Sequence, residues 1–232
     1  MLIDVLTNDF SWGMLIGSII GSLMLIFLVS PVHELAHGAA AVALGDKTPR
    51  WQGRLTLNPL AHIDWIGSLM ILLFGFGWAK PVQVNMRNFK NPKVGMALTA
   101  LAGPFSNFLI AFIAALFFVP VVNWCAPIFF SGYYSAETYI LEEIVWYTYT
   151  TFILLNLSIG LFNLIPIPPL DGSRILSAIL PDKYYYQLMR YEQYSFMLLI
   201  VVFYVLDVDR FLFDAVNNIF VKFTDISFYI FG

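Results

Sequence analysis

The chain has 232 residues, of which 59% are hydrophobic, 17% are aromatic and only 12% carry a charge. Soluble domains average about 25% charged residues, so this composition excludes an ordinary soluble domain and indicates an integral membrane protein. The net charge of −3 gives no reason to expect a nucleic-acid partner, and the single cysteine, Cys125, excludes an intrachain disulfide and a cysteine-based zinc cluster.

Four apolar segments are predicted to cross the membrane, because about 20 helical residues span the ~30 Å hydrocarbon core. The first runs from Phe10 to Val29 and is expected to continue as a helix to Leu44. The second covers residues 94–122 and the third covers 140–165, whereas the fourth, at 194–206, is shorter. We therefore expect an all-α polytopic membrane protein with about four transmembrane helices.

Charged residues in the loops orient these segments. Residues 45–62, 80–93 and 171–194 each carry at least three lysines or arginines, whereas residues 123–143 carry none. The positive-inside tendency therefore places the first three loops in the cytoplasm and the last outside. Both flanks of the apolar segment 64–79 are then cytoplasmic, which predicts a re-entrant hairpin that other parts of the protein cover.

The chain is predicted to be one domain, residues 1–232, with its membrane core at about 10–206. The tail at 207–232 mixes aromatic and polar residues, and it is expected to lie in the membrane interface as an amphipathic helix. Residues 50–57 and 80–85 are predicted to form short membrane-associated β-strands on the cytoplasmic side.

The segment Ser30–Ala40 (SPVHELAHGAA) places ionisable residues in an otherwise apolar helix. His33 and His37 are four residues apart, so both imidazoles lie on one helical face and could bind a single metal ion. Glu34 projects beside them and could take a proton from a water molecule on that metal, as in the H-E-x-x-H motif. Ionisable groups cost about 2.5–3.5 kcal/mol each at the centre of a membrane helix, so the cluster indicates a function.

A catalytic zinc site needs a third protein ligand, since its fourth position is left to water. We favour Asp171, because the proline-rich segment 166–169 ends the third helix and is expected to leave an extended strand beside it. Asp171 could instead cap the helix that follows it. His62 lies in a cytoplasmic loop and could also approach the metal, although its neighbours favour a turn there.

Three motifs occur in the order that is found in one known family. HELAH at 33–37, LAGPFSN at 101–107 and NLIPIPPLDG at 163–172 together resemble the site-2 protease family of intramembrane zinc metalloproteases, peptidase family M50. The resemblance covers about residues 30–195. It is to the compact bacterial members, and no PDZ or CBS domain is expected.

The resemblance implies one Zn²⁺ per chain, bound by His33, His37 and Asp171, with Glu34 as the catalytic base. It also implies a zinc metalloendopeptidase that acts in regulated intramembrane proteolysis. The bond cleaved would lie in or near the transmembrane segment of a single-span membrane protein. The location expected from the resemblance and the loop charges is a bacterial cell membrane, with the active site near the cytoplasmic side.

Two asparagines, Asn107 and Asn163, match asparagines of the family motifs. We expect them to bind the substrate backbone or the oxyanion, or else to make polar contacts between helices. A second hypothesis is that one of the predicted strands offers an edge that pairs with the unwound substrate.

Two other classes of protein remain open from the sequence. A membrane transporter or metal-handling protein would also contain broken helices and polar residues in mid-membrane. However, it would show a paired repeat and would leave Glu34 unexplained. A purely structural subunit would bind no metal at all.

Overall fold

The computed structural model describes residues 11–74, 78–123, 136–181 and 208–232. Within these ranges the chain is mostly helical and contains no β-strand. The helices, in chain order, are α1 (Trp12–Met24), α2 (Ser30–Ala43), α3 (Thr48–Trp51), α4 (Trp65–Phe74), α5 (Pro92–Leu116), α6 (Ala136–Asn163), α7 (Asp171–Ile179) and α8 (Val208–Phe231). A π-helical turn, Leu25–Val29, joins α1 to α2.

Three helical segments within the described ranges are long and apolar enough to cross a membrane: Trp12–Ala43, Pro92–Leu116 and Tyr139–Asn163. They match the first three predicted spans, so the prediction of an all-α multi-pass membrane protein is confirmed. The fourth predicted span, 194–206, lies outside the described residues.

The long helices pack closely where small residues meet. A β-carbon at Gly17 of α1 would lie 2.6 Å from the carbonyl oxygen of Ile144 in α6, so only glycine allows this approach. The α5 and α6 helices meet over a buried apolar cluster that includes Ala111, Ile153 and Leu157. These contacts hold the three spanning segments side by side.

The segment predicted as a hairpin returns to its own beginning. Helix α4 covers its first part, and the backbone N–H of Lys80 then donates to the carbonyl oxygen of His62 over 2.8 Å. The chain therefore leaves the segment beside the point where it entered. The re-entrant hairpin itself stays a prediction, since residues 75–77 lie outside the described part of the chain.

The strands predicted at 50–57 and 80–85 are not formed. Residues 50 and 51 end helix α3, and Arg54 N donates to Pro49 O within the same loop. In the second segment, the N–H groups of Val82 and Asn85 donate to carboxylates of Glu34 and Asp46. A strand needs a neighbouring strand for its backbone groups, and here side chains and local turns satisfy them instead.

The proline-rich segment ends α6 as predicted, because the last residue of this helix is Asn163. The extended strand expected after it is not formed. Residues 164–170 make successive turns, in which Leu164 N donates to Leu161 O and Leu170 N donates to Ile167 O. These turns satisfy the backbone locally between prolines, which have no N–H of their own.

The C-terminal tail forms helix α8, which packs along α5 and α6. Val216 is buried in the same apolar cluster as Ala111, and farther along the helix Ser227 Oγ donates to Leu116 O over 2.8 Å. One side of the tail therefore faces protein. Its predicted position in the membrane interface stays a prediction.

Candidate metal centre

Two histidines of α2 and the first residue of α7 meet at one point. His33 Nε2 lies 3.0 Å from His37 Nε2, and Asp171 Oδ2 lies 3.4 Å and 3.2 Å from these two nitrogens, respectively. Among the described residues, this is the one group of histidine, cysteine or acidic side chains whose spacing would hold a metal ion.

The hydrogen bonds behind the histidines determine which ring atoms face the centre. His37 Nδ1 donates to the backbone oxygen of Thr99 over 2.7 Å, and His33 Nδ1 lies 3.1 Å from Asn107 Oδ1. Because these oxygens are acceptors, the network places the proton of each neutral imidazole on Nδ1. The lone pairs on both Nε2 atoms then point at each other and at the Asp171 carboxylate.

Such a triangle of lone pairs repels unless a proton or a metal cation lies between its atoms. Zinc with ligands at about 2.0–2.1 Å in a tetrahedron requires ligand atoms about 3.3 Å apart. The observed separations of 3.0, 3.2 and 3.4 Å match that edge length. Two imidazoles and one carboxylate are also a donor set that zinc enzymes use, so the residues present fit this ion.

Two glycines make the centre possible. A β-carbon at Gly103 of α5 would lie 2.6 Å from His33 Nε2 and would also contact the ring of His37. A β-carbon at Gly172 would lie 2.5 Å from the carbonyl oxygen of Ile165. The first glycine therefore leaves room for the histidines, and the second lets the turns before α7 pack closely enough to present Asp171.

Asp171 is not the cap of the helix that follows. Leu170 occupies the N-cap position, and Asp171 is the first helical residue, with its carboxylate directed at the histidines.

Glu34 lies beside the triangle and is mostly buried. The backbone N–H of Val82 donates to Glu34 Oε2 over 2.8 Å. Glu34 and the three candidate ligands line one cavity of about 790 Å³. Apolar residues of the π-helical turn, of α6 and of α8 supply much of the remaining wall, so the cavity opens among the spanning helices.

The other residues singled out in the sequence lie in different places. Both asparagines line the cavity, but Asn107 is completely buried behind His33, whereas Asn163 is half-buried at the end of α6. His62 is buried outside the cluster, where its Nε2 donates to Thr56 O over 2.9 Å. His62 therefore contributes no atom to the candidate metal site.

Sequence reasoning missed Gly103, Thr99 and Val82. Gly103 lies within the LAGPFSN motif, and a glycine followed by proline inside an apolar helix was the available signal. Thr99 and Val82 contribute only backbone groups, so their side chains carry no signal of these contacts.

Comparisons with known proteins agree with this arrangement. The family model described as Peptidase family M50 matches residues 20–206. A Bacillus subtilis (strain 168) protein named "Putative zinc metalloprotease YwhC" is 40% identical over 187 residues, which are 80% of this chain and 81% of that protein. "Zinc metalloprotease MJ0392" of Methanocaldococcus jannaschii is 28% identical over 79% of this chain and 39% of its own length.

No solved structure matches the chain significantly. The family model nevertheless covers most of the sequence, and the relative from Bacillus subtilis is similar over most of both chains. The chain therefore belongs to peptidase family M50, the site-2 protease family that its three motifs resemble.

Proposed function

We propose that the chain is a zinc-dependent endopeptidase that hydrolyses a peptide bond in or near the transmembrane segment of a single-span membrane protein. One observation carries this proposal. His33 Nε2, His37 Nε2 and Asp171 Oδ2 form a triangle with sides of 3.0–3.4 Å in the cavity that Glu34 also lines. Membership of family M50 supports it, and no observation favours a transporter.

In this proposal, His33, His37 and Asp171 hold the ion. When bound, zinc polarises the peptide carbonyl and lowers the pKa of water. Glu34 accepts a proton from the attacking water and then delivers it to the leaving amine nitrogen. Because Glu34 contributes no atom to the metal-binding triangle, its carboxylate remains available for both transfers.

Asn107 and Asn163 have separate roles in this scheme. Asn107 orients His33 through Nδ1, because its oxygen fixes both the tautomer and the plane of the ring. Asn163 lines the cavity, where its amide can contact the backbone of the substrate. A direct contact of Asn107 with substrate stays a prediction.

The substrate that this cavity fits is an unwound stretch of a membrane helix. A helix hides its carbonyl groups in hydrogen bonds, so it must open locally before a base and a metal can reach one. The wall is largely apolar and lies among the spanning helices, which favours an apolar peptide that enters from the bilayer. That residues 80–85 offer an edge that pairs with the unwound substrate stays a prediction. Val84 lines the cavity, so Val84→Pro tests this pairing.

We place the protein in a bacterial cell membrane as one domain, with 194–206 as a fourth span and α4 in a re-entrant hairpin. Lysines and arginines concentrate in the loops at 45–62 and 80–93, and the second of these loops contributes Pro81, Val82 and Val84 to the cavity wall. By the positive-inside tendency these loops are cytoplasmic, so the active site lies near the cytoplasmic side.

The test compares the wild type with Glu34→Gln in liposomes that contain a model single-span substrate. Glutamine keeps the size of the side chain but cannot take up the proton, so cleavage should fall by about 10²-fold or more. Zinc content should stay unchanged. Equal cleavage by the two proteins would refute the peptidase mechanism. Loss of zinc from Glu34→Gln would show that Glu34 is needed for metal binding instead.

A further inference from the structure

A backbone group outside the motifs contacts the proposed base. Val82 N–H donates to Glu34 Oε2 over 2.8 Å, and both residues are less than a tenth exposed. A carboxylate on a flexible side chain can rotate about its terminal bond. A hydrogen bond to one oxygen removes that freedom and determines where the other oxygen points.

The segment that carries this N–H, residues 80–85, is held at both ends. Lys80 N donates to His62 O over 2.8 Å, and Asn85 N donates to Asp46 Oδ2 over 2.7 Å. His62 and Asp46 are themselves fully buried. The donor at Val82 therefore has a defined position between two anchored points.

The side chain of Val82 lies close to α2 at Gly38. A β-carbon at Gly38 would lie 3.8 Å from Val82 Cγ1, an ordinary van der Waals separation. Gly38 is next to His37 on this helix. The segment thus rests on the same turn of α2 that presents the proposed ligands.

From these contacts we infer that the backbone N–H of Val82 is the positioning group for Glu34. It holds Oε2, so that Oε1 is the oxygen that takes the proton from the attacking water. The inference rests on the proposed role of Glu34 as the base. It gives the 80–85 segment a function in the chemical step itself.

The physical basis is the geometry of proton transfer. A general base must lie within about 2.6–3.2 Å of the group that loses the proton. A hydrogen bond to a charged acceptor is stronger than one between neutral groups, so it restrains the carboxylate effectively. Loss of the bond should reduce the catalytic rate and leave the binding of substrate nearly unchanged.

The test removes the N–H donor of residue 82 and leaves the other residues of the 80–85 segment unchanged. Val82→Pro removes the N–H, whereas the control Gln83→Ala changes the exposed neighbouring side chain and keeps the N–H of residue 82. In the liposome assay, we expect kcat of Val82→Pro to fall by about tenfold to a hundredfold, with KM within about twofold of the wild type and zinc content unchanged. Gln83→Ala should stay close to the wild type.

The same change in a Glu34→Gln background separates this inference from the proposed function. We expect Val82→Pro to cause no further loss there, because both changes act on one proton transfer. If Glu34→Gln is inactive and Val82→Pro keeps the wild-type kcat, the positioning role is wrong and the peptidase mechanism stands. A raised KM with unchanged kcat would instead assign the segment to substrate binding.

Hydrogen exchange provides a test that does not depend on how proline is accommodated. In Glu34→Ala, the amide of Val82 has lost its acceptor and should exchange at least about tenfold faster than in the wild type. The amides of Lys80 and Asn85 should keep their protection, because their acceptors are elsewhere. Equal exchange of the Val82 amide in both proteins would overturn the inference.

Discussion

Gly103 of α5 lies directly against the imidazole of His37 in α2, so that a β-carbon at position 103 would contact the ring at Nε2 and Cε1. The same β-carbon would come within 2.6 Å of His33 Nε2. The two helices can approach this closely only because residue 103 has no side chain. The centre thus depends on a residue that contributes no ligand atom.

Gly103→Ala is the smallest change that tests this dependence. Contacts below 3.0 Å force the histidine rings to move, and metal sites tolerate ligand displacements of only about 0.2 Å. We expect zinc affinity to fall at least about tenfold and cleavage to fall with it. Zinc titration and the liposome assay measure the two effects.

Leu101→Ala is the matched control for this change, because Leu101 lies on the same helix with its side chain partly exposed. It should keep the wild-type zinc affinity. Full zinc affinity in Gly103→Ala would show that α5 can move away from the histidines without loss of the site.

The two asparagines should differ in their effect on the metal. Asn107→Leu has a similar volume but removes the acceptor of His33 Nδ1, so zinc affinity should fall about 10–100-fold. Asn163→Ala should keep the zinc affinity and lower cleavage only. Competition with a chelator measures both affinities, and equal zinc binding by the two variants would contradict the positioning role of Asn107.

Asp46 anchors the 80–85 segment and should make stability depend on pH. It accepts hydrogen bonds from Thr48 N, Asn85 N and Asn88 Nδ2. Burial would raise the pKa of Asp46, but the hydrogen bonds from Thr48, Asn88 and Asn85 outweigh it and lower the pKa. Because the folded-state pKa is the lower one, this stabilisation is present above about pH 3.9 and is lost as pH falls through the folded-state value.

Asp46→Asn should therefore destabilise the protein by about 1–3 kcal/mol at pH 7, since the amide offers one acceptor oxygen where the carboxylate offers two. The difference from the wild type should shrink as the pH is lowered below about 4. Thermal unfolding in detergent at a series of pH values measures it. A difference that does not change over this range would mean that the charge of Asp46 is not involved.

The sequence was sufficient for the features that follow from composition and short-range spacing. Apolar length predicted the three spans, and the spacing of four residues predicted that His33 and His37 share a helical face. The prolines predicted where α6 ends and thereby pointed to Asp171. Each of these inferences needs only the geometry of one helix or the absence of one N–H group.

Features that depend on contacts between distant segments could not be predicted in this way. The strand predicted at 80–85 was wrong, because the backbone groups of Val82 and Asn85 bond to carboxylates that the local pattern does not reveal. Likewise, the bond of His37 to the backbone of Thr99 leaves no trace in residue type. Only the packed structure brings these groups together.

The zinc content of Asp171→Ala shows whether His33, His37 and Asp171 together bind the metal. Purified wild type, Asp171→Ala and the control Asp225→Ala, an exposed residue of α8, would be compared by plasma mass spectrometry after matched size-exclusion elution. We predict about one zinc per chain in the wild type and the control, and less than about 0.1 in Asp171→Ala, because two imidazoles alone hold zinc weakly. An Asp171→Ala protein that elutes like the wild type and keeps its full zinc content would contradict the account.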